Sequence, residues 1–291
     1  MTRDLQLKTS DRLPLVCTRG GACCHGNTVR VNPWEIARLA AALGVSAAEC
    51  LARYTDAAGT RLVFDGPQDK RGGAACRLYR EGQGCSVHEA RPLACRLFPL
   101  GRRREGENVH FFHRGPVFPC LDGCPDVVAG PRVEVGLWLQ EQQVEIAAAA
   151  QDACAELVSQ LADGALVLLI DSGLAASGDR RTLGRWRRLA EMPIEQRAVL
   201  LGDDWALWRG RLLAPEVPFD PDPAVFFRAH HDMLQQHAQL SFGALADAAA
   251  LSDAATLMFA LALHLGDTVG AYAQGLAKRW IGTAQSHGAR G

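Results

Sequence analysis

Eight cysteines crowd into the first 124 residues of this chain: Cys17, Cys23, Cys24, Cys76, Cys85, Cys95, Cys120 and Cys124. They lie in stretches rich in Gly, Pro and Arg, where the backbone bends readily and little regular structure is expected. Thiols gathered by turns point to metal, because a zinc or iron site needs about four ligands brought to one place by chain that can fold back on itself. The turns are visible in the spacing. Two glycines separate Cys17 from Cys23-Cys24, Cys85 follows Gly82 and Gly84, Cys95 follows Arg91-Pro92, and Gly123 lies between Cys120 and Cys124. Cys50 and Cys154 complete the ten, but each sits among Ala, Leu and Glu in helix-like surroundings, where a thiol packs as a small hydrophobe.

The remaining composition removes several function classes. The opening MTRDLQLKTSDRLPLVC scatters charges through its length and has no apolar run of signal-peptide size, so the expectation is a cytoplasmic protein with reduced thiols rather than disulfides. A net charge of −1 gives no electrostatic case for nucleic acid. The two basic runs, Arg102 to Arg104 and Arg180 to Arg188, are read as solvated faces. The longest apolar run, Ala254 to Leu265, is too short to span a bilayer and is expected to be a buried helix, so no membrane partner is expected. No G-x-G-x-x-G after a strand, no P-loop and no G-x-S-x-G elbow supports a dinucleotide, nucleotide or hydrolase site.

Cysteine density falls sharply after Cys124, and five of the six tryptophans lie beyond it. A boundary is therefore placed at Gly130-Pro131, giving a cysteine-cluster metal-binding domain over 1–130 and a helical domain over 131–291. The expected fold class is α+β, mostly helical: an irregular cysteine-rich region with short strands, followed by an all-helical C-terminal region. Asn32 caps a helix over Pro33 to Leu43 that Gly44 closes, and Ser46 caps a second one to about Tyr54. Arg61 to Phe64 and Val109 to His113 read as strands. Helical spacing marks Val133 to Leu161, Leu183 to Leu213 with breaks near Pro193 and Gly202, Pro223 to Leu240, Phe242 to Leu251, and Asp253 to Ile281. Phe226, His230, Met233, His237 and Leu240 share one helix face, a stripe read as core with polar edges, and as a pocket only second to that.

The segments CTRGGACCHGNTVRVNPWEIARLAAALGVSAAECLARY and ACRLYREGQGCSVHEARPLACRLFPL resemble the YkgJ-like family, which carries a zinc- or iron-chelating C-x-x-C-x-x-C-C domain. The second segment carries most of the likeness, through C-R-L-Y followed by G-C-S-V-H-E-x-R-P-x-x-C-R-x-F-P. The chain departs from the pattern once. Gly20 stands where the family has its second cysteine, so a site is lost or Cys120, Cys124, His25, His88, His110 or His113 substitutes. Many thiols, irregular spacings and the lack of paired C-x-x-C knuckles favour an iron-sulfur cluster, 4Fe-4S, over a zinc ribbon, with zinc or mononuclear iron as alternatives. Adjacent Cys23 and Cys24 weigh the same way, since neighbours do not easily reach one ion. Arg91, Arg96 and amides around Gly84 and Gly123 are candidates to stabilise the anionic centre.

The resemblance extends to the cysteine cluster of flagellin lysine N-methylases, which implies as a second function an S-adenosylmethionine-dependent protein lysine N-methyltransferase. A third is a zinc-stabilised interaction module that offers its helical C-terminal region to a protein partner.

Overall fold

A computed structural model describes residues 4–15, 21–106, 108–114, 130–202 and 204–290. Cys17, Gly20, Cys120 and Cys124 lie outside the described residues. Of the described residues 56% are helical, with short strands in the N-terminal region and helices in the C-terminal region, as the fold class anticipates. Two compact units form, one from residues 1–29 and 62–149, the other from residues 30–61 and 150–291. The Gly130-Pro131 position read from composition lies inside the first of them.

The first unit is built on short antiparallel pairings. Strand β1 (Asp4–Leu7) pairs with β8 (Asn108–Arg114), which also pairs with β7 (Gly101–Glu105), giving the order β1-β8-β7. A two-residue pair, β2 (Arg12–Leu13) and β9 (Val133–Glu134), lies elsewhere in the unit. Two small hairpins each end on a cysteine. Strands β3 (Phe64–Gln68) and β4 (Ala74–Cys76) form one, and β5 (Tyr79–Arg80) and β6 (Gly84–Cys85) the other. The expected strand over Arg61 to Phe64 begins only at Phe64, because Arg61 makes an isolated bridge to Arg30 instead. A small core of Leu15, Leu93, Leu97, Leu100, Val135, Trp138 and Val144 holds the unit together. It draws on the short helices α3 (Leu93–Leu97) and α4 (Val135–Glu141) and on the start of α5 (Val144–Ile170). With so little apolar mass, such a unit gains much from any cross-link between its loops.

The second unit is helical. Its α1 (Pro33–Leu43) opens with a capping box in which Asn32 accepts from the Glu35 amide while Glu35 accepts from the Asn32 amide, and it closes on Gly44 in the left-handed region. Ser46 caps α2 (Ala47–Tyr54) as expected. Beyond α5 come α6 (Arg181–Glu191), a 3-10 segment over Ile194–Leu200, α7 (Asp204–Leu213), α8 (Pro223–Phe242), α9 (Ala248–Thr268) and α10 (Ala273–Ser286). The pattern misplaced more than one boundary: the stretch from Val133 to Leu161 opens on β9, is divided between α4 and α5 at Gln142-Gln143, and continues to Ile170. Asp247 accepts from the Ala250 amide and starts α9 there, so the apolar residues on either side of Ser252 belong to one helix, and the break falls instead at Val269-Gly270. Trp186 stacks on Phe259 with centroids 4.2 Å apart at the centre of this core.

Helices α5 and α9 are long and apolar enough by composition to cross a membrane. In α9, however, 78% of that apolar window is buried within the protein, and every residue from Ala254 to Leu265 is buried. It is the core helix that the sequence anticipates.

His230 belongs to the core as well. Its Nε2–H donates to the Arg211 carbonyl at 3.2 Å, and the ring is fully buried against Phe226 and Phe227. His264 on α9 is buried likewise and donates to the Ala58 carbonyl at 2.8 Å. Burial pushes both rings down to about 4, so the folded protein resists protonating them while the unfolded chain takes up protons near 6.5. Stability from these rings is therefore complete above pH 6.5 and is lost as pH falls towards 4, by up to about 3 kcal/mol per ring. Urea unfolding followed by helical circular dichroism from pH 7 to 4 should show that decline, and a flat profile would contradict it.

Candidate metal centre

The turn that carries Cys23 and Cys24 is a single 3-10 turn, Ala22–Cys24, entered through Gly21 at φ 80°. Only a residue at home in the left-handed region fits there, and a side chain would also strike the Tyr79 ring, 2.7 Å from where its Cβ would stand. The turn is docked onto the first cysteine hairpin. His25 bridges Ala75, and the Gly26 amide donates to the Ala74 carbonyl at 2.9 Å, which sets Cys23 and Cys24 beside the strand ending in Cys76. The second hairpin pairs Tyr79 with Cys85. Its turn is closed by Ser86, whose amide and hydroxyl both reach the Leu78 carbonyl. Cys95 follows on α3, whose first amide bonds are accepted by the Pro92 carbonyl.

Five described cysteines thus come into electrostatic reach of one another. Thiolate charge on Cys23, Cys85 and Cys95 acts on Cys24, that on Cys23 and Cys85 acts on Cys76, and that on Cys23, Cys85 and Cys76 acts on Cys95. Cys50 and Cys154 stand apart in the other unit, both with no exposed surface, on α2 and α5. Burial raises Cys50 to about 11 and Cys154 to about 12, which makes them inert thiols. No disulfide joins any two of the described cysteines.

The sulfurs of Cys23 and Cys24 are 3.8 Å apart. Two thiolates bound at about 2.3 Å to one tetrahedral ion stand about 3.8 Å from each other, so the separation of this adjacent pair is compatible with one shared ion. The 3-10 turn makes this possible by bringing both side chains to one side. Protonation follows the same geometry. The two thiols share a hydrogen bond, and that bond together with the Arg91 charge favours the thiolate form of Cys23 against the effect of burial. Cys24 is driven far up by that hydrogen bond, by burial and by its thiolate neighbours, while burial and neighbouring thiolates also raise Cys76 and Cys95. Such a cluster cannot hold several negative charges unless a cation joins it. Among the described residues, no three His, Cys, Asp or Glu side chains already stand as a group that could hold an ion. The donor chemistry nevertheless fits zinc or iron, and one edge of a tetrahedral site is already at its proper length.

Two arginines organise the surrounding loop. Arg91, largely buried, donates through Nε to the His88 carbonyl at 2.8 Å and through Nη2 to Gln142 Oε1 at 2.9 Å, and its charge favours the thiolate form of Cys23 and Cys95. Arg96 is 2% exposed. Its guanidinium donates to the carbonyls of Arg91 at 2.8 Å, Gln142 at 2.7 Å and Glu89, so one side chain ties the turn before α3 to the corner between α4 and α5. Sequence reading singled out both arginines but not Gln142, which lies some fifty residues away in the chain and carries no motif.

The histidines named as substitutes fall into different settings. His25 is half-buried beside Tyr79, with centroids 4.7 Å apart. His88 gives its Nδ1 to Glu89 at 3.0 Å, and its buried Nε2 has no hydrogen-bond partner among the described residues. His110 on β8 meets Gln6 across the sheet at 2.7 Å, and His113 on the same strand is buried.

Residues 16–113 match the family model CxxCxxCC, described as "Putative zinc- or iron-chelating domain". The segment contains the turn, both hairpins and α3, so the match falls on the cysteine-bearing part of the chain and supports metal binding there. No curated protein and no solved structure matches the chain.

Proposed function

We propose that the N-terminal unit holds a thiolate-bound zinc or iron centre in a reducing, cytoplasmic setting. Cys23, Cys24, Cys76, Cys85 and Cys95 are its described ligand candidates, and Cys17, Cys120 and Cys124 complete the candidate set. The observation that carries this reading is the 3.8 Å Cys23–Cys24 edge within a group of five mutually interacting thiols. In this unit a bound ion would join the 3-10 turn, both hairpins and α3, loops that a small core alone supports weakly. Arg91 would offset part of the thiolate charge, and Arg96 would hold the loop that presents Cys95.

The vicinal pair favours a single ion, because each thiolate of a cubane binds a different iron. A 4Fe-4S cluster stands as the second reading, since eight N-terminal thiols exceed one tetrahedral set. The methyltransferase reading rests on resemblance of the cysteine cluster alone, and equilibrium dialysis with S-adenosylmethionine tests it. The interaction-module reading needs the same ion and differs only in what the helical region does.

Protein purified without oxygen separates the two forms of the centre. The single-ion reading expects stoichiometric zinc or iron with no acid-labile sulfide. A brown preparation with broad absorption near about 400 nm, equal iron and sulfide, and bleaching in air would establish the cluster instead.

A further inference from the structure

A cleft of about 710 Å³ opens in the helical unit between α2 and α7, with α8 contributing to its lining. Pockets that take small molecules run from about 300 to 1,000 Å³. Small side chains at helical spacing make up much of the lining: Ala48 and Ala52 on α2, then Ala206 and Gly210 on α7 and Ala214 just beyond its end. From Ala206 to Ala214 that line is about 12 Å long. A Cβ on Gly210 would meet no atom within 4 Å, so the space over it is open. Leu51, Leu207 and Met233 add apolar surface on either side.

Cations border this apolar line. Arg209 and Arg211 stand before and after Gly210 in the helix, so they fall on its two edges, and His237 enters from α8. Arg209 already donates to the Ala57 carbonyl at 2.6 Å. Arg211 and His237 instead share the buried Trp208 ring, with the guanidinium carbon 5.5 Å and the imidazole centroid 6.5 Å from its centre. Neither side chain has a hydrogen bond or an ion pair among the described residues. Of the acids in the lining, Asp56 is taken up by the Thr60 and Arg61 amides and the Arg61 guanidinium, while Glu216 is exposed.

We propose that this cleft binds an amphipathic organic carboxylate, its head group held by Arg211 and His237 and its aliphatic body lying over the Ala and Gly side chains. A guanidinium with no carboxylate of its own, half-buried at the edge of an apolar surface, suits that chemistry, because its planar fork matches a carboxylate and its binding costs no existing ion pair. Among the described lining residues no Phe, Tyr or Trp offers a face on which a nucleobase could stack. The lining is also smaller than the about 20–30 residues a side that a stable protein interface covers. The proposal does not depend on the metal centre.

Octanoate is the probe, titrated into the full chain by calorimetry and by NMR of methyl-labelled methionine. It is expected to bind and to shift the Met233 methyl signal, while Met192 and Met258, which lie outside the lining, stay in place. Octan-1-ol has the same chain without the charge and should bind at least about tenfold more weakly. Arg211→Gln should weaken octanoate by a similar factor and leave octan-1-ol unchanged. Gly210→Leu puts a side chain into the open space and a better helix former into α7, so it should fold and abolish binding of both. If Arg211→Gln fails to fold, Gly210→Leu and the comparison of acid with alcohol still decide. No octanoate binding at about 5 mM, equal affinity for octanoate and octan-1-ol, or binding that Gly210→Leu leaves unchanged would overturn the proposal. Shifts at Met192 or Met258 without one at Met233 would overturn it too.

Discussion

Cys85→Ser or Cys95→Ser is expected to lower metal affinity by at least about tenfold and to loosen the N-terminal unit, whereas Cys50→Ala should bind metal as the wild type does. The contrast follows from where the thiols sit. Cys85 and Cys95 close a hairpin and a short helix within electrostatic reach of Cys23 and Cys24, while Cys50 is buried on α2 of the other unit. Structural zinc sites contribute about 10–16 kcal/mol of apparent binding energy that appears as folding energy, so a lost ligand is felt well beyond the site. Metal per chain after gel filtration against a chelator, with hydrogen exchange of the β3–β6 region, measures both effects. Equal metal in all three variants would mean that ligating and packing cysteines have been wrongly divided.

The second large effect is expected at Arg96. Arg96→Met keeps much of the side-chain volume but leaves the carbonyls of Glu89, Arg91 and Gln142 without their donor, and the unit should lose about 3–5 kcal/mol. Arg96→Lys retains a charge but cannot fork across three acceptors, so it should fall between wild type and Arg96→Met. Denaturant unfolding of the metal-free protein reads the clasp directly, and metal affinity should fall with it because Cys95 is one residue away. A change within about 0.5 kcal/mol for Arg96→Met would show that the loop is held by other means.

The nature of the chemistry was legible in the residues themselves. Cysteine is a soft ligand for zinc or iron in any fold, and Gly, Pro and Arg between thiols announce turns whatever the fold. Caps are equally local. Asn32, Pro33, Glu35 and Gly44 specify α1 through contacts spanning only a few residues, and the structure reproduces that helix to the residue. Asp247 obeys the same rule, but an apolar stretch that continues past Ser252 hid it, so the periodicity was cut in the wrong place.

What tertiary structure alone decided is the relation between distant segments. Pairing of β1 with β8 joins residues more than a hundred positions apart, and Gln142 meets Arg91 and Arg96 across some fifty. Composition shifts at Gly130-Pro131, yet residues 30–61 are counted in one compact unit with the helices after Ala150, because burial follows apolar faces rather than cysteine density. The vicinal thiols show the limit most plainly. Sequence gives their adjacency, which argues against a shared ion, while the φ of 80° at Gly21 and the docking of the turn on the β3–β4 hairpin set their sulfurs 3.8 Å apart. Residue identity fixes which atoms can bind a metal; only the folded backbone fixes the distances and angles between them, and coordination depends on those.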